Sequence, residues 1–342
     1  MTRYVLTRLG QAALVLWAAF TISFVILFLL PSDPVSMAAE SSGQGVAVDQ
    51  AALDQLRARY GLDQSVWVQY WTSLTNALRG DFGTSIATGQ SVTDAIFSAL
   101  PSTLVLAVTG LVLSVVFGVT IAFFATYTRK RWLANLLFSL PPLGVAVPTF
   151  WVGLILLQLF SFRLHIFPAF GDKGFATVIL PAITLAIPTG AVIAQVLTTS
   201  LQSTLRSPHA ETAYAKGASR WRVHTRHALR LASIPAFTIA GVLVGTLLAG
   251  SVVVETVFSR AGVGRLTQTS VMAQDIPVVQ GVVVFASLVF VLVNLAVDLF
   301  YPLIDPRIIQ AKKTVTEKAN AEESNAEKSN PESSTDLEPT HV

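Results

Sequence analysis

Between Leu9 and Leu30 the sequence carries no charge, and a run of this kind leaves few folds open. At about 1.5 Å per helical residue it reaches roughly 33 Å, enough to cross a hydrocarbon core of about 30 Å. A backbone in lipid must satisfy its own polar groups, so a single such run has to be a helix. Arg3 and Arg8 in front of it resemble the basic start of a secretory leader. The apolar core of a leader is only about 7 to 15 residues, so the helix is expected to stay with the protein.

Further apolar stretches run approximately Ser102 to Tyr127, Leu133 to Phe160, Thr177 to Leu201, Ala232 to Val254 and Gly281 to Leu303. The expected fold is therefore an all-α membrane protein with six transmembrane helices. Pro141, Pro142 and Pro148 interrupt the third stretch and Pro181 and Pro188 the fourth; both should be kinked or begin later than hydropathy indicates. Composition agrees: of 342 residues 52% are hydrophobic and 13% charged, and the mean hydropathy is +0.61, outside the balance of a soluble domain. There is no cysteine, which excludes disulfides and thiolate metal sites.

Lys and Arg concentrate in cytoplasmic loops, and here they alternate. Arg3 and Arg8 precede helix one, Arg129 to Arg131 fill the second loop, and Arg206, Lys216, Arg220, Arg222, Arg226 and Arg230 crowd the fourth. Both termini should be cytoplasmic. The first external segment, 31–100, is too long for a mere connection and reads as a helical subdomain. Leu53, Leu56 and Tyr60, then Val66, Tyr70, Leu74 and Leu78, form helical stripes. Residues 1–30 thus hold the first span, and residues 101–306 a core with five more. Residues 307–342 are a polar cytoplasmic tail expected to be disordered.

Gly110, Ser114, Gly118 and Ala122 recur on one face of helix two, and Gly241, Gly245 and Ala249 on one face of helix five. Such rows allow close helix approach and read as packing seams, within the chain or against another membrane subunit. Only Asp298 lies well inside a span, with Glu255 at a span's outer end. A proton- or sodium-driven carrier usually needs a chain of ionisable groups through the bilayer. Phosphate-loop, G-x-S-x-G and H-E-x-x-H signatures are absent, so no catalytic residue is assigned. His224 and His227 have i, i+3 spacing but no acidic or cysteine companion, and no metal site is expected. Gly262-Val263-Gly264 opens no dinucleotide-binding unit, and the charge map does not suggest a nucleic-acid binder.

The fourth loop is the most informative. Ser207 reads as an N-cap, Pro208 as the first helical residue, and Gly217 as a left-handed close. A hairpin over 204–230 results, with small residues Ala210, Ala213 and Ala218 available to a partner and a cationic rim. By pattern alone, an interfacial helix on anionic lipid fits nearly as well.

Glu211-Thr212-Ala213 with Gly217 resembles the EAA-x-x-x-G motif of binding-protein-dependent ABC importer permeases, and Ile234-Pro235 resembles the end of that motif. Thr212 departs from the usual Ala. Gly80-Asp81-Phe82-Gly83-Thr84-Ser85, Leu100-Pro101-Ser102-Thr103, Glu255-Thr256-Val257-Phe258 through Gly264, and Asp305-Pro306-Arg307 resemble the dipeptide, oligopeptide and nickel branch, in its first permease subunit. The resemblance implies a bacterial inner-membrane subunit working by alternating access. Its partners would be a homologous second permease, two cytoplasmic ATPases that carry ATP and magnesium, an extracytoplasmic solute-binding protein, and membrane lipid. It also implies that Ala210, Glu211, Thr212, Ala213, Lys216, Gly217 and Ala218 meet an ATPase through the coupling helix. By the same resemblance the chain itself is expected to need no cofactor and to be no enzyme. A secondary carrier or channel is the alternative.

Overall fold

A computed structural model of the protein describes residues 2–29, 54–55, 57–58, 61, 63–172 and 174–304, with side chains described from residue 6 to 27 and, beyond the first loop, to 293 and at 295. No β-strand occurs among the described residues, where an isolated bridge pairs Thr84 with Ser91. Among the described residues five helices are long and apolar enough to cross a membrane, or six if one bent pair counts as a span. The chain divides at Leu295, and the second unit, from Ala296, is described through the helical residues to Ile304. The Asp298 side chain, Asp305-Pro306-Arg307, the tail and the stripe of Leu53, Leu56 and Tyr60 lie outside the described residues.

Helix α1 spans Thr2–Leu29 and α2 spans Val66–Leu78. The apolar stripe of α2 meets α1 through Tyr70. Its ring lies edge-on to Phe20 and Phe24 at 5.8 and 5.3 Å, and its hydroxyl is 2.9 Å from Thr21 Oγ1.

Helix α3 runs Val92–Tyr127, so the second long helix begins at Val92 instead of near Ser102. Leu100-Pro101 looks like a break in sequence. Yet Ser91 Oγ accepts from Asp94 N–H, Asp94 sits in the first turn, and Val92, Ala95, Ile96 and Ala99 form a buried stripe. The cap and that stripe outweigh the single backbone bond that Pro101 removes.

Pro148, in contrast, does break its stretch. Helix α4 (Arg131–Ala146) and helix α5 (Thr149–Leu156, continuing as a π-turn Leu157–Arg163) meet at 106°. Val147 is extended at φ −82°, ψ 129°, as a residue before proline prefers. Pro141 and Pro142 stay inside α4.

Helix α6 runs unbroken over Ala176–Leu205 with Pro181 and Pro188 inside it, so the fourth stretch does not start late. Its apolar window is 61% buried, against 11% for α1. It is therefore the axle on which α3, α4, α5 and the helix Leu229–Val257 pack. The α3–α6 contact is intimate because side chains are missing there. A Cβ on Gly118 would lie 2.7 Å from Ile193 Cγ2, and one on Gly190 would lie 2.9 Å from the Ser114 carbonyl. Ser114 and Ala122 have no exposed surface.

The remainder is α7 (Pro208–Ala215), α8 (Arg220–Arg222), a π-turn (Val223–Ala228), α9 (Leu229–Val257), α10 (Val263–Met272) and α11 (Ile276–Ile304). The second arm of the hairpin is continuous with a span from Arg220 to Val257.

Candidate functional site

The hairpin is built by local rules. Ser207 holds an extended N-cap conformation and Pro208 takes the first position, where its missing N–H costs nothing. The Ser207 hydroxyl does not cap α7; it donates back to the Thr204 carbonyl at 2.7 Å. At the other end Ala218 N–H bonds the Ala213 carbonyl at 3.1 Å and Gly217 N–H bonds the Tyr214 carbonyl at 2.9 Å. This is the paired closure of a Schellman motif. Gly217 sits at φ +80°, the left-handed region glycine enters without strain.

Glu211, Thr212, Lys216 and Gly217 are exposed, and Ala213 and Ala218 half-buried. Thr212 Oγ1 donates to the Pro208 carbonyl at 2.8 Å, within its own helix. Ala210 is a correction to the expectation of a small outward residue. It is 3% exposed and faces inward, because the short helix needs one face to rest on. Arg206, Arg222, Arg226 and Arg230, all within the hairpin, are exposed cations.

The second arm is held by rings. Phe123 and Tyr127, one turn apart at the end of α3, stack at 5.5 Å. Trp221 meets them edge-on at 5.4 and 5.8 Å, and His224 does so at 5.7 and 5.2 Å. The Arg220 guanidinium lies 5.1 Å from the Tyr127 ring centre. Edge-to-face pairs contribute about 0.5–1.5 kcal/mol each beyond area burial. His224 is 2% exposed; the Thr126 backbone is near, yet neither ring nitrogen makes a well-formed hydrogen bond. Sequence reading singled out His224 only as half of a weak metal pair. Its partner in that pair, His227, is exposed.

At the far end of α3 a buried polar network joins motifs that are scattered in sequence. Glu255 has no exposed surface; its carboxylate accepts from Thr103 Oγ1 at 2.7 Å and Arg265 N–H at 3.1 Å. Any side chain on Gly262 would overlap that carboxylate, and one on Gly264 would meet Val252 Cα at 2.5 Å. The two glycines thus let an acid from α9 sit on the start of α10. Arg260, 2% exposed, donates to the Thr177 carbonyl at 3.1 Å and Ser102 Oγ at 3.0 Å. Asp172 stands 3.7 Å from it and accepts from Ala261 N–H at 2.9 Å. Asp275 accepts from Ser85 Oγ, and from the N–H groups of Ile86 and Ala87 at 3.2 and 3.3 Å.

The second small-residue row is less closed than the first. A Cβ on Gly245 would lie 2.8 Å from the Phe290 ring, but Ala249 is exposed to an apolar cavity of about 390 Å3 that Gly245, Phe285 and Phe290 also line. Gly241 is half-buried.

Residues 114–310 match the model of a family described as "Binding-protein-dependent transport system inner membrane component", and residues 1–107 match its N-terminal counterpart. The chain belongs to this family. It is the permease subunit of an ABC importer, a multi-pass protein of the inner membrane. It is 37% identical over 308 residues to the glutathione transport system permease protein GsiC of Escherichia coli (strain K12), covering 90% of this chain and 99% of that one. Over the same length it is 38% identical to GsiC of Salmonella typhimurium (strain LT2). A chain of the MetNI methionine ABC transporter, solved in inward facing conformations, superposes with a TM-score of 0.51 at 14% identity, over 61% of this chain and 95% of that one. That likeness concerns the fold alone.

Proposed function

We propose that this permease imports small peptides or solutes of that size and chemistry, and that residues 204–230 are where a separate ATPase drives it. The single observation carrying the coupling role is the hairpin itself. It is an eight-residue helix closed by a Schellman turn at Gly217, presenting Glu211, Thr212 and Lys216 outward in a segment that also exposes four arginines. Such a rigid, short, charged projection suits docking against a soluble subunit. The alternation of basic loops supports placing this end, with both chain termini, in the cytoplasm. The bent α4–α5 pair then counts as one of six spans.

In this reading ATP and magnesium reside on two partner ATPases. A homologous permease completes the pathway, and a solute-binding protein delivers cargo at the opposite end. The peptide class is supported by likeness to a glutathione permease across nearly the whole chain. Glu211→Lys and Gly217→Val test the coupling role in the reconstituted importer. Both variants should insert normally, since no span is altered, and lose ATPase association or ATP-dependent uptake. Normal uptake by both would refute the assignment and favour a lipid-binding hairpin. Uptake of labelled glutathione and dipeptides with the cognate binding protein tests the substrate class.

A further inference from the structure

The hairpin is joined covalently to two spans, since α6 leads into it and α9 leads out. Its hold on α3 is of another kind. No chain connection links α3 to the hairpin; Phe123 and Tyr127 on α3 face Trp221 and His224 on the second arm, each ring of one pair meeting both rings of the other. Beneath the rings, Ala122 packs in one cluster with Ala228 and Ala232.

Helix α3 also reaches the other end. Thr103 holds Glu255 and Ser102 holds Arg260, and the stretch from Thr103 to Phe123 is about 30 Å of helix. Both groups therefore share one rigid rod. The segment carrying His224 is a π-turn, a geometry often found where a helix serves a function.

We propose that Phe123, Tyr127, Trp221 and His224 form a joint that hands displacement of the hairpin to α3, and so to the buried network about Glu255 and Arg260. The four are positioning residues for transport: they act through α3 and touch neither solute nor nucleotide. Rings packed edge to face suit this task, because they resist sliding while a tilt of one pair carries the other. The inference rests on the reading of 204–230 as the ATPase-coupling element.

The test uses the complete importer in liposomes and reads solute taken up per ATP hydrolysed, together with ATPase co-purification. Tyr127→Leu keeps apolar bulk without a ring, and Tyr127→Phe keeps the ring. The Leu variant should retain its ATPases and lose about tenfold in uptake per ATP, a coupling loss of ordinary size. The Phe variant should stay within about twofold of the parent. Trp221→Ala combined with Tyr127→Leu should fall little below either alone, because one joint is broken once. An unchanged ratio in Tyr127→Leu, additive losses in the combined variant, or release of the ATPases by Tyr127→Leu would each overturn the joint. Gly217→Val in the same preparation separates the two readings. If it leaves ATPase association and uptake normal, the coupling hairpin falls; if it abolishes them while Tyr127→Leu is silent, the hairpin stands and the joint falls.

Discussion

The two ends of α3 are held by opposite means. At the network end, Glu255, Arg260 and Asp275 are buried ionisable groups whose hydrogen bonds come from four separate segments. At the hairpin end the cations are exposed apart from Arg220, half-buried against the Tyr127 ring, and the contact with α3 is made by rings and alanines. A buried charge needs each of its partners in place, whereas edge-on rings are held by apolar packing and the attraction of edge for face. The contrast points to a far end fixed within itself, which can shift only as one unit, and a hairpin end built to take up displacement from a partner.

If that contrast holds, the largest loss should come from crowding the fixed end. In Gly264→Val the new Cβ would meet the Val252 backbone, which cannot step aside as a flexible side chain could, and would push on Glu255 Oε2 at 2.9 Å. Overpacking costs about 1–3 kcal/mol or more, and the displaced carboxylate would lose its donors as well. The variant should fail to accumulate in the membrane; recovery at parental levels would show that this end yields. Asp275→Ala comes next. It removes the acceptor for Ser85 Oγ and the N–H groups of Ile86 and Ala87, a loss of about 2–3 kcal/mol for a charged hydrogen-bonding partner. A clearly lowered melting temperature in detergent is expected, with the 80–91 loop newly open to protease.

How far sequence alone reached differs between the same two ends. The hairpin's turns were legible, because proline at the first turn and a left-handed glycine are local rules that Pro208 and Gly217 obey, whereas the Ser207 hydroxyl bonds back to Thr204 and Ala210 turns inward. The apolar stretches were legible for the same reason, although Pro101, Pro181 and Pro188 look alike in sequence to Pro148, which alone among them breaks its helix. Whether a proline is absorbed depends on caps and neighbours far away in the chain. The far-end network was not legible: Thr103 meets Glu255, Asp172 meets Arg260 and Ser85 meets Asp275 only through tertiary packing. The motifs containing several of these residues stood out as text, without any hint that they meet. The ring joint was missed for a similar reason, since Tyr127 and Trp221 lie on different helices.

A smaller effect distinguishes conformational from steric need for glycine. Nothing lies within 4 Å of where a Gly217 side chain would start, so its need is for φ +80° alone. Val there should cost about 1 kcal/mol or more. Asn enters the left-handed region several-fold more readily than most residues, so Gly217→Asn should restore ATPase association that Gly217→Val loses. At Gly118, where Ile193 stands 2.7 Å from a new Cβ, Asn should rescue nothing.

The smallest effect is expected at Thr212, where this chain departs from the Ala usual in the motif it resembles. Its hydroxyl donates to Pro208 of the same helix, and the residue is exposed. Losing that bond leaves the Pro208 carbonyl free to meet water, while Ala gains in helix propensity by a few tenths of a kcal/mol over Thr. The two changes nearly cancel, and surface substitutions away from special features usually stay within about 0.5 kcal/mol. Thr212→Ala should therefore leave melting temperature, ATPase co-purification and uptake per ATP at parental values, while Glu211→Lys one position away loses association. Such a pair would locate the demand of this end in charge and turn geometry. A loss in Thr212→Ala as large as that in Glu211→Lys would instead mean that the hydroxyl meets the partner directly, and that the hairpin end is as exacting about single hydrogen bonds as the network end.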